Sequence, residues 1–127
     1  MLQLIAIASG GAVGALLRFW TVEGMAVWLG RSFPYGTLTV NVIGSLLIGF
    51  LYVLLVEKGS FAPEWRSLLV VGLLGAFTTF STFSLDTIQL LQHGYMVKAM
   101  INVLMSVVLC LLAVWLGLVA GRQIFNL

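Results

Sequence analysis

The residues best suited to chemistry in this chain are hydroxyls and phenyl rings packed into one run, Thr78-Thr79-Phe80-Ser81-Thr82-Phe83-Ser84, just after Gly72 and Gly75. Hydroxyl groups donate to anions, and an aromatic edge carries partial positive charge. Phe80 and Phe83 are three residues apart, so on a helix their rings share a face. Two readings stay open for them: rings that only pack, or rings that meet an anion edge-on. Glycines followed by hydroxyls weaken a helix. In a membrane, a broken helix survives only where its freed backbone lines a cavity or binds an ion. Exposed carbonyls around Gly75 to Thr78 would suit a hard cation such as Na⁺.

Other polar residues recur every four positions, which sets each group on one helix face. They are Gly10, Gly14 and Arg18; Thr37, Asn41 and Ser45; and Asn102, Ser106 and Cys110. Gly10 with Gly14, and Gly117 with Gly121, are GxxxG pairs that let helices approach closely, and helix packing is the reading preferred for these glycines. An amide in hydrocarbon must be hydrogen-bonded or reach water, so Asn41 and Asn102 face protein or a pore. Arg18 either snorkels from a helix end or sits in an aqueous vestibule where its charge concentrates anions.

The elements that position these residues follow from composition. The 127 residues are 61% hydrophobic and 8% charged, against roughly 25% charged in a soluble domain. Mean hydropathy is +1.16. The natural solvent for most of this surface is therefore lipid. A membrane-crossing helix needs about 20 apolar residues, and four stretches qualify: about Leu2 to Val22, Tyr35 to Val56, Trp65 to Leu91 and Met96 to Gly121. The expected architecture is an all-α integral membrane protein with four transmembrane helices, the third broken near mid-membrane, in one unit spanning 1–127. Met1–Leu17 reads as a retained first helix, because the first basic side chain, Arg18, follows the apolar run. Glu23 to Phe33 is expected to lie along the membrane interface, and Gly94 marks a tight turn.

With both termini on one side, Lys58, Arg66 and Arg122 lie there and Arg18, Arg31 and Lys98 lie opposite. The positive-inside rule then favours neither orientation. Balanced charge predicts insertion both ways up, unless one buried arginine does not count and a preference returns. Chains inserted both ways can associate as an antiparallel pair.

Several functions are disfavoured. The net charge of +2 without a basic run gives no nucleic-acid partner. A lone cysteine, Cys110, permits neither an intrachain disulfide nor a cysteine metal site. His93 is the one histidine and the serines lack a paired base, so no enzyme is expected. A small proton-coupled multidrug exporter needs an embedded carboxylate. Here Glu23, Glu57 and Glu64 read as loop residues, Asp86 lies toward a helix end, and the first helix has no acid through Val22. A structural membrane subunit would explain the glycines but not the hydroxyl and phenyl run.

Three segments resemble the Fluc (CrcB) family of dual-topology fluoride channels: Gly11-x-x-Gly14-x-x-x-Arg18, the stretch Gly36-Thr37-Leu38-Thr39-Val40-Asn41-Val42-Ile43-Gly44, and the Thr78 to Ser84 run. The resemblance covers essentially the whole chain, and the last run is its most specific part. It implies an antiparallel homodimer in the cell inner membrane, present in both orientations, with two pores that pass fluoride passively and keep cytoplasmic fluoride low. It implies that Phe80 and Phe83 meet fluoride edge-on, that Asn41, Ser81, Thr82 and Ser106 belong to the pore, and that Arg18 belongs to the vestibule. It also implies that the carbonyls of Gly75 and Thr78 hold a structural Na⁺ at the dimer interface. Cys110 departs from the family's serine, Asn102 from a tyrosine found in some members, and Asp86 from a glutamate.

Overall fold

The computed structural model describes all residues, Met1–Leu127, and contains helices but no strand. Four helical stretches are long and apolar enough to cross a membrane: Leu2–Leu29, Tyr35–Glu57, Pro63–Gln92 and Met96–Ile124. The first two are α1 and α2, and the last is α5. The third is interrupted. Residues 63–77 form α3, Thr78 and Thr79 are extended, and Phe80–Gln92 forms α4.

α1 is longer than its apolar run suggested. Its 28 residues correspond to roughly 42 Å at 1.5 Å per residue. The stretch from Glu23, expected as an interfacial connection, continues the helix to Leu29 instead. No proline interrupts it, and Glu23 pairs with Arg31 at 2.9 Å, so the charges that looked like a break lie at the helix's own end. The stop is Gly30, whose φ of 84° suits glycine and whose N–H bonds the Ala26 carbonyl at 2.9 Å.

The other boundaries follow local chemistry. Pro63 opens α3 at a position where its missing N–H has no helical partner to lose. Ser67–Leu74 within α3, and Val53–Glu57 at the end of α2, widen to π-helical turns. The His93-Gly94 connection is the tight turn expected, with Tyr95 N–H donating to the Leu90 carbonyl at 2.8 Å.

Helices pack as alternating neighbours, α1 on α3 and α2 on α5. Glycine allows both crossings. A Cβ at Gly72 would stand 2.6 Å from the Ile7 carbonyl oxygen, and Gly117 lies against the Leu46 carbonyl. This is close backbone approach in lipid, where van der Waals contact rather than the hydrophobic effect associates helices. Only 19 of 127 residues are buried, so most apolar side chains face outward, as a lipid-facing surface requires.

Each end of the bundle carries a small polar knot. At one, Arg122 grips Glu57 through Nη2 at 2.7 Å and Nε at 3.1 Å, with Lys58 Nζ 4.6 Å from the Phe125 ring centre. At the other, beside the Glu23–Arg31 pair, Lys98 donates to the Ser32 carbonyl at 3.3 Å and lies over Tyr95. Basic side chains thus occur at both ends.

Candidate functional site

The interruption between α3 and α4 is the centre of the site. The break expected around Gly75 to Thr78 falls one step later, with Thr78 at φ −86°, ψ 159° and Thr79 at φ −156°, ψ 114°. Thr79 caps α4: its Oγ1 accepts the Thr82 N–H at 3.1 Å and donates to Thr82 Oγ1 at 3.0 Å. Asn41, reaching across from α2, pairs with both backbone groups of Thr79. Thr79 N–H donates to Asn41 Oδ1 at 2.8 Å, and Asn41 Nδ2 donates to the Thr79 carbonyl at 3.0 Å. In a continuous helix the N–H of residue i+4 would bond the carbonyl of residue i. The carbonyl of Gly75 would take Thr79 N–H, and that of Thr78 would take Thr82 N–H. Both donors are directed to side chains instead, which releases those two carbonyls.

A cavity of about 450 Å³ opens beside this break. Phe80, Phe83, Asn41 and Ser106 line it, and so do Gly75 and Thr78. No acidic or basic side chain lines it; Cys110 is the one titratable neighbour. The Phe80 and Phe83 rings share a face, their centres 5.4 Å apart and their planes inclined by 43°. Phe80 is 78% exposed, so one wall of the cavity is unfinished in a single chain. Gly44 packs directly under the Thr78 side chain, which brings α2 against the break.

Hydrogen bonds hold α4 from both flanks. On one, buried Asn102 of α5 donates through Nδ2 to Thr87 Oγ1 at 3.0 Å, and Thr87 donates to the Phe83 carbonyl at 2.8 Å. Ser106 points its hydroxyl at Asn102 Oδ1, 3.5 Å away. On the other, Thr37 of α2 donates to Asp86 at 2.9 Å. Asp86 is a carboxylate within the third span, held by a partner on another helix.

Three of the residues singled out earlier stand apart from this cavity. Ser81 is exposed and lines neither this cavity nor the next, its Oγ 3.3 Å from Thr79 Oγ1. Thr82 lines a second cavity of about 410 Å³, which also holds Asp86 and Lys98. Arg18 is half-buried, lines neither cavity and takes part in neither ion pair. Sequence reasoning placed Thr79 in the hydroxyl run and Thr37 on the Asn41 face without giving either its part in building the site, and it missed Thr87. Only Thr79 carried a local signal, a threonine placed to cap the helix that resumes at Phe80.

Comparison with known proteins places this geometry in context. The family model described as "CrcB-like protein, Camphor Resistance (CrcB)" matches residues 5–118. The fluoride-specific ion channel FluC of Methylococcus capsulatus is 56% identical over 97% of this chain but 54% of its own length, so the chain spans about half of that relative. The fluoride-specific ion channel FluC of Hydrogenovibrio crunogenus is 50% identical over 99% of this chain and 96% of its own length. That of Magnetococcus marinus is 48% identical over 97% of this chain and all of its own length.

Proposed function

This chain belongs to the CrcB family, and from that membership we propose that it is a fluoride-selective channel. It lets the anion leave the cytoplasm passively, through two pores of an antiparallel homodimer in the cell inner membrane. The observation that carries the reading is the cavity at the helix break, where an amide, several hydroxyl residues and two phenyl rings meet without any carboxylate.

Fluoride is compact and strongly hydrated, so a path for it must replace water with donors weak enough to release it again. Asn41 engages Thr79 with one of its two amide hydrogens and has a second to offer. Within the cavity Ser106 adds a hydroxyl group, and Phe80 and Phe83 offer ring edges; the hydroxyls of Thr82 and Ser81 lie outside it. Ser106 donates to Asn102 in the resting arrangement, so its hydroxyl must rotate to meet an anion. Arg18 carries a positive charge without a carboxylate partner, which favours anions in its vicinity. Asp86, within the third span, accepts a hydrogen bond from Thr37, and the absence of any acid from the first helix through Val22 is what speaks against a proton-exchanging exporter.

Sodium suits the released carbonyls of Gly75 and Thr78, since hard cations prefer oxygen donors and unwound membrane helices supply them. Bound there, Na⁺ would add a fixed positive charge beside the anion path. The exposed Phe80 and Gly75 support closure of this side by a second copy of the chain.

Efflux from liposomes, followed with fluoride and chloride electrodes in parallel, tests the proposal. Rapid fluoride loss without chloride loss, and without a proton gradient, is the expected result. A folded protein that passes no fluoride would overturn it.

A further inference from the structure

We infer that Asn41 and Thr79 together are positioning residues that hold the break open, so that the carbonyl pair of Gly75 and Thr78 stays available to a hard monovalent cation. The inference rests on the proposed sodium site and adds to it the side chains that create it.

A broken helix has two ways to satisfy its backbone: it can close again, or other groups can take its orphaned donors and acceptors. Thr78 and Thr79 are extended, so closure has not happened. The two N–H groups that would reclaim the Gly75 and Thr78 carbonyls belong to Thr79 and Thr82. Each meets a side-chain oxygen: Asn41 Oδ1 at 2.8 Å and Thr79 Oγ1 at 3.1 Å. The same Asn41 amide returns a donor to the Thr79 carbonyl at 3.0 Å. One side chain thus substitutes for both helical partners of one residue, and one hydroxyl substitutes for the partner of another. The residues that free the carbonyls are the residues that occupy them least: neither Asn41 nor Thr79 needs to touch the cation.

The arrangement also couples two sites. Asn41 lines the anion cavity while its Oδ1 and one Nδ2 hydrogen stabilise the break. A change at Asn41 therefore reaches the cation site through Thr79, and the cation in turn favours the extended conformation in which Asn41 is held.

The test uses the full-length protein purified in lipid nanodiscs, with two readouts other than flux. The first is hydrogen exchange at the Thr79 and Thr82 amides. The second is the thermal unfolding midpoint in sodium chloride against N-methylglucamine chloride. The variants are Asn41→Leu, Thr79→Val and the conservative Thr79→Ser. In the wild type both amides are expected to exchange slowly, and sodium to raise the midpoint by several degrees. Asn41→Leu should speed exchange at Thr79 at least tenfold and abolish the sodium shift. Thr79→Val should do the same at Thr82, and Thr79→Ser should restore both. A sodium shift that survives in both Asn41→Leu and Thr79→Val, or a wild type with no shift, overturns the inference. If Asn41→Leu does not fold, the Thr79 pair decides. A wild type with slow exchange and a sodium shift but no fluoride flux would sink the channel reading while leaving this one standing.

Discussion

Phe80 and Phe83 are unequal partners on one helix face: Phe80 is largely exposed, while Phe83 is half-buried and its carbonyl receives Thr87. Their ring edges are the proposed anion contacts. Loss of a contact worth about 1.4 kcal/mol corresponds to a factor of ten. Phe80→Ile and Phe83→Ile are each expected to cut fluoride efflux roughly tenfold while the protein elutes from a sizing column as before. Wild-type efflux from both variants would remove the rings from the path. Asn41→Asp should lose conduction more fully. The carboxylate keeps an acceptor for Thr79 N–H but loses the donor to the Thr79 carbonyl, and it adds a negative charge to an anion cavity. Electrode-recorded efflux near wild type would exclude Asn41 from the mechanism. At this scale the sequence announced the residues better than their partners. An amide at Asn41 had to be satisfied, but only the fold reveals that Thr79 satisfies it. The same holds for Asn102 with Thr87 and for Thr37 with Asp86, pairs far apart in the chain that leave no local periodicity to read.

Among the elements, the break was legible because Gly75 and the hydroxyl run weaken a helix wherever they occur. Its placement at Thr78–Thr79 was less so, since it depends on Asn41 arriving from α2. The length of α1 was obscured by Glu23 and Arg31, which read as loop charges until seen to pair with each other. The small-residue faces were readable as packing faces, though not which helix each would meet. The crossing of α5 on α2 at Gly117 gives a direct test. A side chain there meets the Leu46 carbonyl, and overpacking costs about 1–3 kcal/mol. Gly117→Leu is expected to lower the thermal midpoint in detergent by several degrees. Leu111→Ala, at a site 67% exposed, should leave it nearly unchanged. Equal midpoints for the two would mean that the crossing is not close in the folded protein.

For the molecule as a whole, the balance of basic residues was readable directly, and the fold distributes them to both ends. Dual insertion should therefore be observable. In a Cys110→Ser background, a cysteine introduced by Ser60→Cys should react with an impermeant maleimide in about half of the copies from either membrane face. Removing charge from the opposite end with Arg31→Gln and Lys98→Gln should skew that ratio strongly. Labelling from one face alone in the unaltered charge background would exclude both-way insertion. The single-chain fold leaves Gly75 and Phe80 at an open side of the cavity, next to carbonyls that hydrocarbon cannot solvate. Each such group left without a partner in lipid is unfavourable by several kcal/mol. On the proposed pairing, a solitary copy is the state the bilayer penalises. Association would then follow the ratio of protein to lipid rather than concentration in water, so a cell would need few copies, and pairs would survive heavy dilution in lipid long after a surface-docked assembly had come apart.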